Sequence, residues 1–232
     1  MRYLLPTLLL LQLASTVCAF PDLTKRAACT PTPTPGALNV TNATLYYETV
    51  SCGQGPVVLL ISGANGDAFI WEPMAFYLAQ NYTVALYDRR GFSRSNITGT
   101  QDYAHRLATD ADDAAALIKH LAKGGPAYAL GTSGLGSPTA YSKGNVNYWF
   151  DREVVPYPLH NWSIPAIGQH MNKLLLANGN ASNPAGMEVR SNKVIGQALG
   201  LPVNLLPGDH VGYTEYPAAF ASALSALLQT KS

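Results

Sequence analysis

The sequence is poor in charge, since acidic and basic side chains make up only 12% of its 232 residues and the formal net charge is +1. Lys and Arg never occur more than two in a row, so the sequence offers no basic patch for nucleic acid or for an anionic membrane. Hydrophobic residues account for 47%, which is too many for a disordered chain. We therefore predict one globular domain with a substantial core and no nucleic-acid partner.

The longest apolar run lies near the N-terminus. Arg2 precedes an almost unbroken apolar run at residues 4–13, and Val17-Cys18-Ala19 offers a small-residue cleavage site. The run is too short to cross a bilayer comfortably, and a signal anchor is the alternative interpretation. We predict a signal peptide at residues 1–19, and hence a secreted protein with no stable membrane insertion after cleavage.

A dibasic pair, Lys25-Arg26, follows this cleavage site and is typical of a maturation site in the secretory pathway. A plain exposed charge pair is the alternative. Residues 30–35 alternate threonine with proline, which removes backbone donors and favours extended structure. We therefore assign residues 20–43 to a pro-segment and a Thr/Pro-rich arm, and residues 44–232 to the folded domain.

Only three cysteines are present, and Cys18 would leave with the signal peptide. In an oxidising compartment the remaining pair, Cys29 and Cys52, predicts a disulfide, with two free thiols as the alternative. Six Asn-X-Ser/Thr sequons follow, and behind a signal peptide they predict N-glycosylated loops. Their asparagines are Asn39, Asn42, Asn81, Asn96, Asn161 and Asn180.

From residue 44 onward, short apolar runs alternate with helical patterns, which predicts an α/β fold with a mainly parallel sheet. Strands are predicted at 44–50, 56–61, 82–87, 127–130, 173–177 and 202–206. Helices are predicted at 71–78, 103–121, 193–199 and 217–228. In the longest helix, apolar side chains at helical spacing predict a stripe that faces the core. This stripe comprises Leu107, Ala111, Ala114, Leu117, Ile118 and Leu121.

Two stretches of sequence carry a family resemblance. Residues 61–67, followed by Trp71 and by Asp88-Arg89-Arg90-Gly91-Phe92-Ser93-Arg94-Ser95, resemble the N-terminal half of α/β-hydrolase-fold enzymes. Residues 206–213, Leu-Pro-Gly-Asp-His-Val-Gly-Tyr, resemble the loop that delivers the histidine of that superfamily. The resemblance, to a secreted serine hydrolase of fungal type, implies a mainly parallel sheet with flanking helices, a small-molecule substrate, and no metal or organic cofactor.

The resemblance also assigns a catalytic site. Ser133 follows a predicted strand within a Gly-Thr-Ser-Gly turn, where a strand-to-helix elbow would present a nucleophilic hydroxyl above the sheet. His210 is the candidate general base, which would take the serine proton during attack and return it to the leaving group. Backbone N–H groups of Gly134 and of Gly63 or Ala64 would form the oxyanion hole. An ordinary glycine-rich turn and a surface histidine are the alternatives.

Two features depart from the pattern of the superfamily. Position 135 is Leu, where the elbow pattern has Gly, and residues 178–182, Asn-Gly-Asn-Ala-Ser, offer no carboxylate to hold His210. Glu188 is the nearest acid, and we expect it to begin a helix. An asparagine could orient the histidine through a hydrogen bond but would stabilise the imidazolium less.

Residues 135–171 are rich in proline and glycine and interrupt the α/β pattern. The resemblance implies that one internal strand, the helix after the nucleophile and most of the lid are missing, as if a segment had been deleted after the elbow. We therefore predict a hydrolase of ester or other small acyl substrates whose catalysis is impaired. The alternative is a catalytically inactive relative or a fragmentary isoform, with a binding role or with no enzymatic role.

Overall fold

The computed structural model describes residues 9–13, 29–64, 66–132, 139–159 and 163–231. Their strands are β1 (Leu9–Leu13), β2 (Thr34–Val40), β3 (Ala43–Val50), β4 (Val57–Ile61), β5 (Thr83–Tyr87), β6 (Asn96–Ile97), β7 (Ala127–Gly131), β8 (Leu174–Gly179) and β9 (Val203–Leu206). Their α-helices are α1 (Glu72–Leu78), α2 (Arg106–Ala122), α3 (Ser142–Arg152), α4 (Pro156–Leu159), α5 (Ile164–Gly168), α6 (Met187–Leu199), α7 (Gly212–Glu215) and α8 (Pro217–Gln229).

The strands form one sheet in the order β2-β3-β5-β4-β7-β1-β8-β9, and β6 pairs with β3. Strand β4 is parallel to both β5 and β7, and β8 is parallel to β9. Strand β1 is antiparallel to its two neighbours β7 and β8, so those two run in the same direction. The carboxyl ends of β5, β4, β7, β8 and β9 therefore lie along one edge of the sheet, where parallel sheets usually carry their sites.

Strand β1 fills the internal position for which the sequence predicts a missing strand. Leu9 lies opposite both Gly131 of β7 and Leu176 of β8, and Leu13 lies opposite Ala127. The segment that occupies this position belongs to the predicted signal peptide. The sheet therefore has no gap there, and a strand of opposite direction stands between two strands of the parallel set.

The sheet also begins before the predicted domain boundary at residue 44. Strand β2 pairs with β3 along its whole length, from Thr34 opposite Thr49 to Val40 opposite Ala43. Part of the predicted Thr/Pro-rich arm is therefore an edge strand of the domain and not a linker. Pro35 is compatible with this position because an edge strand need not donate every N–H group to a neighbour.

Residues 135–171, predicted to be irregular, contain the three helices α3, α4 and α5. Two of the prolines that suggested irregular structure stand at helix starts, since Pro156 begins α4 and Pro165 lies in the first turn of α5. Proline is favoured there because its missing N–H would be unpaired in any case. Ser163 caps α5 by accepting a hydrogen bond from the N–H of Ala166 at 3.2 Å.

The core lies on both faces of the sheet. Val58 and Leu60 of β4 join a cluster with α1 and α8, whereas Val57 and Leu59 join a second cluster with α2. Alternate residues of this strand are thus buried on opposite faces, as in sheets covered by helices on both sides. Trp71, which precedes α1, is fully buried in the first cluster.

The buried face of α2 corrects the predicted apolar stripe. Ala114, Leu117 and Ile118 are buried as predicted, whereas Ala111 is exposed. In the first half of the helix, three charged residues face inward instead: Arg106, Asp110 and Asp113. Their spacing also places them on one helical face, so a pattern restricted to apolar residues missed them.

Cys29 and Cys52 form a disulfide in the structure, with their Cα atoms 5.9 Å apart. The bridge attaches the segment before β2 to the turn that follows β3. The Cys52 N–H also donates to the carbonyl of Ala79 at 2.9 Å, and the Gln80 side chain donates to the carbonyl of Cys29 at 3.1 Å. In the loop-entropy model, a closure of this length stabilises the folded state by about 3 kcal/mol.

Candidate active site

The ends of β4 and β7 lie side by side at the carboxyl edge of the sheet. The Thr132 N–H donates to the carbonyl of Ile61 at 3.2 Å, and Thr132 is buried. Thr132 is the residue before the predicted nucleophile. Ser133 itself, together with Gly134 and Leu135, lies outside the described residues. The strand that leads to the predicted elbow thus ends beside the strand that leads to the predicted oxyanion loop.

The predicted oxyanion loop, which follows β4, is held at two carbonyl groups. The Gly63 carbonyl accepts a hydrogen bond from Nη2 of Arg89 at 2.7 Å and another from the N–H of Gly66 at 3.0 Å. The Gly66 carbonyl accepts from the N–H of Arg89 at 2.8 Å. Gly66 has a φ of +64°, and the ring of Phe92 occupies the space that a Cβ would need. A glycine is therefore required at this turn.

Asp67, fully buried, connects three segments around this loop. Its Oδ1 accepts from the N–H of Phe69 at 2.8 Å, which caps the turn before α1. Its Oδ2 accepts from the hydroxyl of Thr139 at 2.7 Å and from that of Ser93 at 3.3 Å. Asp67 lies in the segment that carries the family resemblance and has no predicted role, although an acid just before a helical pattern is a recognised cap signal.

The Asp-Arg-Arg-Gly stretch after β5 is a set of buried ion pairs. Asp88 accepts from the N–H of Ala68 at 2.8 Å and from Nε of Arg94 at 2.6 Å. Arg90 donates to both carboxylate oxygens of Asp113, from Nε at 2.9 Å and from Nη2 at 2.7 Å. These pairs attach the loop after β5 to its neighbours, so the motif serves as a scaffold for the edge of the sheet.

Arg89 belongs to a separate group that we call the Arg89 cluster, which consists of Arg89, Arg106, Asp110, Glu153 and Tyr157. It contains two guanidinium groups and two carboxylates, and Glu153 is fully buried between the two arginines. Burial raises the pKa of the Glu153 carboxyl, and the guanidinium of Arg89 opposes this shift. Tyr157 donates its hydroxyl hydrogen to Asp110. The cluster is not predictable from local sequence patterns because its members come from three distant segments.

His210 lies in a tight turn between β9 and α7. The Asp209 carboxylate accepts from the N–H of Val211 at 2.7 Å, and Gly208 has a φ of +84°. The turn packs directly on the end of β8, where a Cβ at Gly179 would collide with the carbonyl groups of Gly208 and Asp209. The close approach of these two backbones fixes the position of the turn that carries His210 relative to the end of β8.

Tyr213 joins the histidine loop to the predicted elbow. Its side chain is fully buried, and its ring centroid lies 4.3 Å from that of Trp71. Its hydroxyl lies beside the side chain of Thr132 without a hydrogen bond of normal geometry. Burial raises the pKa of Tyr213 to about 12, so the phenol stays protonated at neutral pH. This one residue therefore contacts both the last described residue before Ser133 and the helical turn after the oxyanion loop.

His210 lines a small recess together with Asn178, Ser182, Glu188 and Asp209. Asn178 stands where the superfamily pattern expects an acid, but its amide points to α6, since Oδ1 accepts from Nδ2 of Asn192 at 2.8 Å. Glu188 is the second residue of α6, close to the helix start that we predicted for it. The carboxylates that share this recess with His210 are those of Glu188 and Asp209.

The sequon asparagines differ in exposure. Those at 39, 42, 96 and 180 are exposed, Asn81 is half-buried, and Asn161 lies outside the described residues. No helix in the described part of the chain is both long and apolar enough to cross a membrane. Within the same ranges, no three His, Cys, Asp or Glu side chains come together as a metal site would require.

Comparison with known proteins shows relatives over part of the chain. Residues 58–155 match the alpha/beta hydrolase family. The uncharacterized hydrolase YraK of Bacillus subtilis is 42% identical over 98 residues, which cover 42% of this chain and 35% of that protein. The chain thus spans about a third of the length of this curated relative.

Two solved structures resemble nearly the whole chain. The enol-lactonase from Burkholderia xenovorans has a TM-score of 0.60 and 14% identity, over 84% of this chain and 100% of that chain. A hydrolase from Pseudomonas aeruginosa has a TM-score of 0.56 and 17% identity, over 84% of this chain and 98% of that one. At such low identity these likenesses concern the fold alone.

Proposed function

We propose that this chain, which has the α/β-hydrolase fold, is a secreted serine hydrolase that acts on an ester or another small acyl substrate. The observation that carries the proposal is the packing of Tyr213, three residues after His210, which lies 4.3 Å from Trp71 between ring centroids and has its hydroxyl beside Thr132. It supports a site in which the loop that bears His210 stands next to the residue that precedes Ser133, at the edge of the sheet where the oxyanion loop also lies.

The chemistry follows from the roles of the three loops. The Ser133 hydroxyl attacks the substrate carbonyl while His210 takes its proton. The oxyanion that forms accepts hydrogen bonds from the N–H of Gly134 and from the loop at Gly63 and Ala64. His210 then protonates the leaving alcohol, and a water molecule activated by the same histidine hydrolyses the acyl-enzyme. Each step uses only groups of this chain and water.

The carboxylates in the recess support a role for His210 as a base. A protonated imidazole is stabilised by a nearby negative charge, and in serine hydrolases a buried acid usually supplies it. Here residues 178–182 carry no acid, and the amide of Asn178 is bound to α6. Glu188 and Asp209 line the same recess as His210 and are the available sources of negative charge.

A fluorophosphonate probe tests the proposal, because it reacts only with an activated serine. We expect the probe to label the wild-type chain at Ser133 and to leave Ser133→Ala unlabelled, since no hydroxyl remains at the nucleophile position. Ser182→Ala is the matched control, because Ser182 lines the recess of His210 and is the competing serine. Labelling that survives in Ser133→Ala and disappears in Ser182→Ala would show that Ser182, and not Ser133, is the nucleophile.

The alternative function is that of a catalytically inactive relative or a fragmentary isoform. It is favoured by the lack of a carboxylate at residues 178–182 and by the Leu at position 135. An inactive chain would show no probe labelling at any serine while still unfolding cooperatively. The same labelling experiment therefore separates the two functions.

Secretion is part of the proposal, and the mature N-terminus tests it. We expect protein recovered from the medium to begin at Ala27, because a signal-like start and Lys25-Arg26 precede that residue. Four exposed sequon asparagines and the Cys29–Cys52 bridge fit an oxidising, glycosylating compartment. N-terminal sequencing of the secreted protein is the measurement, and a start at Met1 would contradict both the secretion and the processing.

A further inference from the structure

Arg89 contacts the predicted oxyanion loop through both its main chain and its side chain. Its N–H donates to the Gly66 carbonyl at 2.8 Å, and its Nη2 donates to the Gly63 carbonyl at 2.7 Å. Arg89 is only 4% exposed, so both bonds are shielded from water. One residue thus holds the two ends of the turn that carries Gly63 and Ala64.

The guanidinium that makes this contact is itself held in place from the opposite side. Glu153 binds it through both carboxylate oxygens, at 2.9 Å to Nη1 and 2.8 Å to Nη2. Asp110 and Tyr157 accept further hydrogen bonds from Nη1, at 3.1 Å and 3.0 Å. Because a guanidinium is a rigid planar fork, a bidentate partner fixes where its remaining N–H bonds point.

We propose that Arg89 is a positioning residue of the oxyanion hole, and that Glu153 sets its orientation. This inference rests on the proposed serine hydrolase function. Donors in an oxyanion hole are effective only when they are fixed before the reaction, and a loop with glycine at positions 63 and 66 has little stiffness of its own. Arg89 supplies the missing stiffness through the carbonyl groups, which leaves the N–H groups of the loop free for the substrate.

Glu153 extends this coupling to helix α3, which it follows directly. Helix α3 is also attached to the loop after β5, since the Asn145 side chain accepts from the N–H of Ser93 at 3.0 Å and donates to its hydroxyl at 2.9 Å. Helix α3 and the oxyanion loop therefore bind the same stretch of chain, residues 89–93. A change in the position of α3 would reach the oxyanion loop through Glu153 and Arg89.

The neighbouring Arg90 provides a matched control. It is buried to the same degree, at 3% exposed, and it forms a bidentate pair with Asp113. Its remaining bonds reach the Thr41 carbonyl at 2.7 Å and the Gln101 side chain at 3.1 Å, both on the side of the β2–β3 turn. A lysine at either position removes a buried guanidinium, but only the change at Arg89 affects the oxyanion loop.

Steady-state hydrolysis of p-nitrophenyl acetate tests the catalytic part. Arg89→Lys should lower kcat by on the order of 10²-fold, which is the effect of losing one oxyanion donor, with little change in KM because the loop acts mainly in the transition state. Arg90→Lys should keep kcat close to the wild-type value, even if its melting temperature falls by as much as that of Arg89→Lys. Equal losses of kcat in the two variants, or an unchanged kcat in folded Arg89→Lys, would overturn the proposal.

Amide hydrogen exchange at Gly66 tests the same inference without any activity, because its N–H donates to the carbonyl that Arg89 binds. We expect slow exchange at Gly66 in the wild-type chain and in Arg90→Lys, and faster exchange in Arg89→Lys. If Arg89→Lys does not fold, Glu153→Gln replaces it, and it should show faster exchange and a smaller loss of kcat. Exchange at Gly66 in the wild type as fast as in a free loop would refute the inference. A wild-type chain with a protected Gly66 but no probe labelling would refute the hydrolase function. It would still support the positioning of the loop by Arg89.

Discussion

A chain that begins at Ala27 should unfold without the cooperative thermal transition that we expect of the chain of residues 1–232. The shorter chain lacks β1, which pairs with β7 at five positions, from Leu9 opposite Gly131 to Leu13 opposite Ala127. Strand β1 also pairs with β8, at Leu9, Leu10 and Leu11. Its removal leaves two facing strand edges in the middle of the sheet without partners.

The expected loss is large compared with the stability of a domain. A buried backbone donor or acceptor that loses its partner costs about 1–3 kcal/mol, and a native domain is stable by only about 5–15 kcal/mol. The cost of several such groups together can equal the whole free energy of unfolding. Exposed internal strand edges also favour aggregation. We therefore expect a low yield of the predicted mature form and no sharp transition above ambient temperature.

Circular dichroism melts of the two chains measure this effect, and two proline variants control for it. Leu11→Pro removes a backbone donor from the middle of β1 and should act like the deletion, because proline is not tolerated in a central strand. Leu4→Pro changes the same leader before β1 and should leave the melt of the full chain unchanged. A sharp transition at about 50 °C or higher in the chain that begins at Ala27 would show that β7 and β8 pair without β1.

Replacement of His210 should abolish turnover while leaving the fold intact. His210→Gln keeps the size and polarity of the side chain but cannot accept the proton of Ser133. In enzymes of this kind the loss of the base lowers kcat by on the order of 10⁴-fold or more, because the serine hydroxyl is a poor nucleophile without it. The melting temperature should change little, since His210 is a half-buried turn residue.

His170→Gln is the control for this change. His170 is exposed and precedes the short turn Met171–Lys173, which lies before β8 and away from the recess of His210. Hydrolysis of p-nitrophenyl acetate and labelling by the fluorophosphonate probe should both persist in His170→Gln and fail in His210→Gln. Equal rates of hydrolysis in the two variants would show that His210 takes no part in the reaction.

The sequence predicts most of the strands closely because local signals define them. Runs of buried apolar residues between turn residues placed a strand at 127–130, where β7 covers Ala127–Gly131, and another at 173–177, where β8 covers Leu174–Gly179. The longest helix was also predicted nearly to its ends, from Tyr103 through α2. Such elements are fixed by periodicity within a few turns of chain.

Contacts between distant segments could not be predicted in this way. A leucine-rich run at residues 9–13 fits a signal peptide and a buried strand equally well, since both require only continuous apolar residues. The pairing of Arg89 with Glu153 joins residues from different elements, and neither residue shows its partner in its local sequence. For the site, the sequence predicted a loop that carries His210 near the C-terminal end of the chain, and the structure has it between β9 and α7, but the position of Tyr213 beside Thr132 was not predicted.

The position of β1 has a consequence for the order in which the protein is made. Strand β1 leaves the ribosome first, but its partners in β7 and β8 extend to Leu176 and are made much later. At the usual speed of synthesis the delay is on the order of ten seconds, during which the apolar segment has no sheet to join. If the chain is secreted as we propose, the export machinery and the sheet compete for the same five residues, Leu9–Leu13. Whichever binds them first would then determine whether the chain folds with β1 in its sheet or is exported without it.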